Sequence, residues 1–131
     1  MRENMSITVV AGTPINVATG MTAAQMATAG ITAAIPQKLA NRVFVQMLHG
    51  GSGLGYVMDG ILPRGRVPAS SASGDLTAEL AVATAGAPGG SYSDGAPNDA
   101  GLDVDLALMW VDGAHSGDVI KVSYFLKSSG G

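Results

Sequence analysis

Residues 102–127 read LDVDLALMWVDGAHSGDVIKVSYFLK. Leu102, Val104, Leu106, Leu108 and Trp110 recur at every second position, with Asp103, Asp105, Ala107 and Met109 between them. A period of two sends alternate side chains to opposite sides of an extended chain, so this stretch reads as a half-buried strand. Asp112-Gly113 through Gly117-Asp118 supplies turn formers. Ile120, Val122, Tyr124 and Leu126 then alternate with Lys121, Ser123 and Lys127. Two alternating runs around such a turn predict a β-hairpin. In that hairpin Asp103 and Asp105 lie across from Lys127 and Lys121, a favourable cross-strand pairing of opposite charge. Trp110 shares its face with Leu106 and Leu108 and is expected in the core.

The same period recurs upstream. Val43, Val45 and Met47 alternate with Arg42, Phe44 and Gln46, which gives a strand with one core face, although Phe44 and Leu48 leave its second face fairly apolar. His49-Gly50-Gly51-Ser52-Gly53-Leu54-Gly55 follows as glycine-rich punctuation, then Tyr56 to Ile61 as a strand and Pro63-Arg64-Gly65-Arg66 as a turn. After the small-residue loop Ala69 to Gly74, the residues Leu76, Ala78, Leu80 and Val82 alternate with Thr77, Glu79, Ala81 and Ala83. Residues 85–101 hold Pro88, Gly89, Gly90, Asp94, Gly95, Pro97, Asn98, Asp99 and Gly101, a composition that predicts one long surface loop. Short strands joined by glycine-rich turns make the chain all-β, an antiparallel β-sandwich or jelly-roll-like fold, with a barrel as the alternative.

Residues 4–37 carry no charged side chain. Ile7 to Val10 and Ile15 to Val17, split by Gly12-Thr13-Pro14, suit two short strands or an extended arm. Thr22 to Thr28 suits two helical turns ending at Gly30, or irregular chain. The chain therefore divides into an extended uncharged N-terminal arm or edge segment over 1–37 and a β-sandwich domain over 38–131. Residues 4–37 either dock on a neighbouring surface or pack on their own domain.

Composition narrows the function. At 131 residues the chain has room for one core. Its hydrophobic content is 47% and its mean hydropathy +0.29, too apolar for a disordered tail, yet its uncharged stretches are broken well short of the roughly 20 apolar residues of a membrane span. A soluble chain with no membrane partner is expected. The apolar run Ile7 to Ala11 is too short for a secretory signal. Charged residues make up only 13%, about half the roughly 25% of an average globular protein. Solvated charge keeps monomers apart, so so neutral a surface suits burial in an assembly, with a composition bias of the source as the plainer account. A net charge of −3 with seven scattered basic residues argues against a nucleic-acid partner.

Chemistry-bearing residues are few. With no cysteine there is no disulfide, thiol nucleophile or thiolate ligand. His49 and His115 lie in glycine-flanked turns near Ser52 and Ser116. Leu54 stands where a nucleophile elbow needs its final glycine, and no helix follows Gly51-Ser52-Gly53-Leu54-Gly55 to aim amides at a phosphate. Asp94, Asn98, Asp99, Asp103 and Asp105 offer oxygens to calcium, at a spacing that fits no helix-loop-helix calcium pattern. Tyr56, Tyr92 and Trp110 are the candidate stacking platform for a sugar. No catalytic, cofactor-binding or metal residue is assigned, no cofactor is expected, and the chain is not read as an enzyme.

An uncharged opening segment (ITVVAGTPINVATGMTAAQMATAGITAAIP), Gly/Ala/Ser-rich loops and the closing 102–127 stretch, in a short cysteine-free chain, resemble the small decoration, or cement, proteins of tailed-bacteriophage capsids. The likeness is one of type, over the whole chain, with no diagnostic motif. It implies a virion protein made in the host cytoplasm and carried on the capsid surface. It further implies a homo-oligomer, a trimer by preference, whose N-terminal arm grips the major capsid protein and stiffens the shell. Many modest contacts on a repeating lattice would sum by multivalency. The competing expectations are a carbohydrate- or receptor-binding β-sandwich of a phage tail or fibre, and a small hydrolase or isomerase built on His49 or His115.

Overall fold

The computed structural model describes residues 2–30, 38–49, 53–59, 76–84, 87–95 and 104–126. In chain order the elements are β1 (Arg2–Thr8), β2 (Ile15–Asn16), α1 (Ala23–Thr28), β3 (Leu39–His49), β4 (Gly55–Asp59), β5 (Leu76–Leu80), β6 (Ser91–Gly95), β7 (Val104–Asp105), a 3-10 turn at Leu106–Leu108, β8 (Met109–Gly113) and β9 (Val119–Leu126). The front sheet runs β1-β9-β3-β6, with β7 also paired to β3, and the back sheet runs β2-β8-β4-β5. Every pairing is antiparallel. With two-residue β7 set aside, the first strand pairs with the last, the second with the next to last, β3 with β6, and β4 with β5. That is the order obtained by rolling one long antiparallel ribbon into two facing sheets, the jelly-roll winding of an all-β sandwich.

The alternation along the strands builds the core between the sheets. Val43, Val45 and Met47 of β3 and Ile120 and Val122 of β9 face Val57, Leu80, Met109 and Val111 of the back sheet, all fully buried or nearly so. Each such side chain contributes roughly 1.5–3 kcal/mol on leaving water. A β-bulge at Asn41, where Ala40 opposes Leu126 and Arg42 opposes Phe125, shifts the phase so that Ala40 and Val43 both point inward.

The N-terminal stretch, open in sequence between an arm and self-packing, packs on its own domain over residues 2–30. β1 is an edge strand in full register with β9, from Arg2 opposite Phe125 to Thr8 opposite Val119. Ile7, Val9 and Val17 enter the main core. Thr22 forms a capping box with Gln25: its hydroxyl accepts from the Gln25 amide at 3.2 Å and its own amide donates to Gln25 Oε1 at 2.9 Å. The helix then ends before Gly30, whose φ of +85° favours glycine. Met26 of α1 closes over Trp110 and Met58 in a second, smaller core on the outer side of the back sheet. Residues 31–37 lie outside the described residues.

Three expectations are corrected. The closing hairpin does not form: β8 belongs to the back sheet and β9 to the front sheet, so residues 114–118 arch between sheets. The expected strand from Leu102 to Trp110 is interrupted as well. Asp105 turns its carboxylate onto the Ala107 amide at 3.0 Å, capping the 3-10 turn, and the chain leaves β3 in one sheet for β4 in the other. The turn moves the phase by one residue, so Leu108 is 37% exposed and Met109 is buried. The pairing of Asp105 with Lys121 fails with the hairpin. Asp105 stands opposite Leu39, and Lys121 opposite Ser6 and Gln46. Asp103 and Lys127 lie outside the described residues.

The expected loop over 85–101 contains β6, which pairs with β3 from Gln46–Ser91 to Arg42–Gly95 and turns Tyr92 toward the core. Serines mask this strand in the sequence because its outer row needs no apolar residue. β5 ends at Leu80, so Val82 is 38% exposed and only Ala78 and Leu80 of its alternation pack inward among the described side chains.

Candidate functional site

The sandwich treats its two outer faces differently. Over the back sheet lie two parts of the chain's own N-terminal segment: α1 with Met26, and the turn at Gly12-Thr13 beside Asp112. No described element covers the front sheet. Its outward rows follow from the register: Asn4, Ser123, Phe44 and Ser93 on one rung, Ser6, Lys121, Gln46 and Ser91 on the next, and Phe125, Arg42 and Gly95 beyond, across from Arg2. Phe44 is 39% and Phe125 45% exposed, on neighbouring strands. With Arg42 and Ser123 they line an open cavity of about 230 Å³. The Ser123 hydroxyl donates to Asn4 Oδ1 at 2.6 Å and fixes the floor of that cavity across β9 and β1.

Charge on this face has one sign. Arg42 and Lys121 project from it, and none of its described outward positions is a carboxylate. Glu3 and Asp94 sit at the two sheet edges in the inward-facing rows, opposite Tyr124 and Val43. Glu3 is already engaged: its Oε1 accepts from the Tyr124 hydroxyl at 3.1 Å. That hydroxyl in turn accepts from Lys38 Nζ at 3.1 Å. A protein with net charge −3 thus presents one locally cationic, partly aromatic sheet face.

The residues singled out by sequence fall elsewhere. Trp110 is fully buried against Met26 and Met58, and Tyr92 packs against the main core. Tyr56 is half-buried opposite Asp112 on the back sheet. These three rings form no common platform. His115 is exposed in the arch, its Nδ1 3.7 Å from Oδ1 of the buried Asp118. Ser116 Oγ accepts from the Ala11 amide at 2.9 Å, and Asp118 Oδ2 from the Gly53 amide at 3.0 Å, bonds that tie the arch to neighbouring loops. The side chain of His49, and Ser52, lie outside the described residues. Of the acidic group, Asp94 is on β6 and Asp105 accepts from the Lys38 and Ala107 amides. Asn98, Asp99 and Asp103 lie outside. Among the described residues no cluster of three or more His, Cys, Asp or Glu side chains is placed to hold a metal ion. No described helix is long and apolar enough to cross a membrane.

Asp112 and Asp118 are the two carboxylates the fold buries among the described residues, and Asp112 is the one left with an unpartnered oxygen. It is 2% exposed, its Oδ1 accepts from the Gly113 amide at 2.8 Å, and its Oδ2 has no hydrogen-bond partner. Loss of water raises its pKa above the ordinary 3.8, against the opposing pull of the Gly113, Gly12 and Thr13 amides. It lies beside the amides of Gly12 and Thr13 in the β1–β2 turn.

Phe44 and Phe125 escaped the sequence reading as site residues. Both stand on the polar phase of an alternating strand, Phe44 with Arg42 and Gln46, Phe125 with Lys121 and Ser123. A large aromatic on a polar phase is the signal that marks them. In comparison with known proteins, the chain matches no family model, no curated protein and no solved structure.

Proposed function

We propose that the protein is a structural component of a virus particle, a decoration protein that binds the major capsid protein lattice of a phage and stabilises the shell, as a homo-oligomer with a trimer favoured. The observation that carries this reading is the uncovered front sheet. A 131-residue sandwich with 13% charged residues leaves Phe44 and Phe125 side by side on an open face while its own N-terminal segment covers the other. Exposed apolar area among polar neighbours marks an association surface, and a surface poor in charge opposes association weakly. The jelly-roll winding supplies a stiff, edge-limited scaffold suited to repetition on a lattice.

The reading differs in one respect from the mechanism that the family likeness implies. Residues 2–30 support the sandwich, so attachment is assigned to the front sheet rather than to a free arm. The tail- or fibre-lectin alternative is less favoured, since Trp110 is buried, Tyr92 packs against the main core and Tyr56 stands apart from both, half-buried on the back sheet.

The test is co-sedimentation of the full chain with undecorated capsid shells, with solution mass by light scattering alongside. Saturable binding at a fixed ratio per capsomer, with shells made more resistant to heat, is the expected result. A chain that leaves shells unbound and unprotected overturns the reading.

A further inference from the structure

We infer that the front-sheet face is a receptor for an acidic protein surface that carries one protruding apolar side chain, seated between Phe44 and Phe125 with its flanking carboxylates on Arg42 and Lys121. The inference rests on the decoration reading for the identity of the partner, a capsid shell, and on the geometry of the face for its chemistry. The cavity of about 230 Å³ between Arg42, Phe44, Ser123 and Phe125 is below the roughly 300–1,000 Å³ of small-molecule pockets and has room for a single inserted side chain. Arginine and aromatic groups around such a cavity make the kind of anchor that dominates protein interfaces.

Charge selects the partner. The face offers two cations and no described carboxylate, so an acidic surface is attracted and a basic one repelled. The guanidinium of Arg42 presents a planar fork that a carboxylate fits with two hydrogen bonds. The hydroxyls of Ser91 and Ser93 and the amides of Asn4 and Gln46 complete a polar rim. A second copy of the chain is a poorer occupant: Glu79 on β5 and Asp94 on β6 are its exposed described carboxylates in strands, and they stand on opposite sheets.

The experiment titrates the isotope-labelled full chain, by amide chemical shifts, with three capped peptides: Glu-Asp-Leu-Glu-Asp, Glu-Asp-Ser-Glu-Asp and Lys-Lys-Leu-Lys-Lys. The first is expected to shift residues 42–46 and 121–125, and the other two to bind at least about tenfold more weakly. Arg42→Glu, at an exposed position, and Lys121→Glu, at a half-buried one, should each weaken the first peptide by a similar factor and abolish shell co-sedimentation. Equal response to acidic and basic peptides, or shifts confined to another surface, overturns the inference. So does preferential binding of polyuridylate or sialyllactose at this face. Shells that bind wild type and Arg42→Glu equally overturn it while leaving decoration intact. Shells that ignore the wild type while the acidic leucine peptide maps to the face overturn decoration and leave the inference standing.

Discussion

Folding takes the Asp112 carboxylate out of water, and burial raises its pKa above 3.8 because the lost hydration outweighs the amides of Gly113, Gly12 and Thr13. A raised folded pKa means the native state holds this proton more tightly than the unfolded chain. The group's stabilising contribution is complete below pH 3.8 and is lost as pH rises through the folded value. Asp112→Asn removes that slope. The difference in urea midpoint between variant and wild type should therefore move in favour of the variant as pH is raised from 3.5 to 7, and a constant difference would show the carboxylate unperturbed. Gly89 carries a steric constraint instead. A β-carbon there would run into the Ala81 carbonyl oxygen, with the Ala83 nitrogen at 2.7 Å and Met47 Cβ at 2.8 Å, where the 89–90 backbone bridges Met47 and Ala81. Gly89→Ala should cost about 2–3 kcal/mol by overpacking. Gly117→Ala, at φ +99° with open space around it, should cost about 1–2 kcal/mol from backbone strain alone. Denaturant unfolding at one pH ranks the two, and the reverse order would refute the contact account.

At the level of elements, what the sequence reveals depends on whether the signal is local. The inward row of β3 and the end of α1 at Gly30 are legible because a period of two and a helix stop are written within one element. Sheet membership is not local. LDVDLALMWV alternates on both sides of a 3-10 turn, so two strands in different sheets look like one. A five-residue connection between β8 and β9 serves a hairpin or an arch equally well, and only the partners β4 and β3 decide which. The site was missed for a related reason: alternation assigns Phe44 and Phe125 a face but not what covers that face. Cover is the role of α1 on the back sheet. Met26→Ala opens a cavity against Met58 and Trp110 and should cost about 2–4 kcal/mol. Trp110 is the only tryptophan, so the same variant should shift the native fluorescence emission to the red. Destabilisation with an unshifted spectrum would mean that the helix stays seated and water does not reach the ring.

For the whole molecule, the winding makes the first strand the partner of the last, and this sets what each end of the chain can do. The Ser123 hydroxyl reaches Asn4 across 119 positions of sequence, and the Tyr124 hydroxyl reaches Glu3 across 121. A contact of that span closes a long loop before it is rewarded, so β1 docks late and folding belongs with the slow all-β domains, in milliseconds to seconds. The same pairing separates two views of residues 1–36. A free arm could be removed at the cost of binding alone. A chain beginning at Gln37 instead loses Ile7, Val9, Val17 and Met26 from the two cores and bares the edge of β9 over Val119–Leu126. Those four side chains are worth on the order of 6–12 kcal/mol, comparable with the whole stability of a domain this size, about 5–15 kcal/mol. The truncated chain is expected to lose its cooperative urea transition, followed by Trp110 fluorescence, and to associate through the exposed strand. A truncated monomer that still unfolds in one sharp transition would show residues 1–36 to be dispensable for the fold, and would restore the free-arm reading of the N-terminal segment.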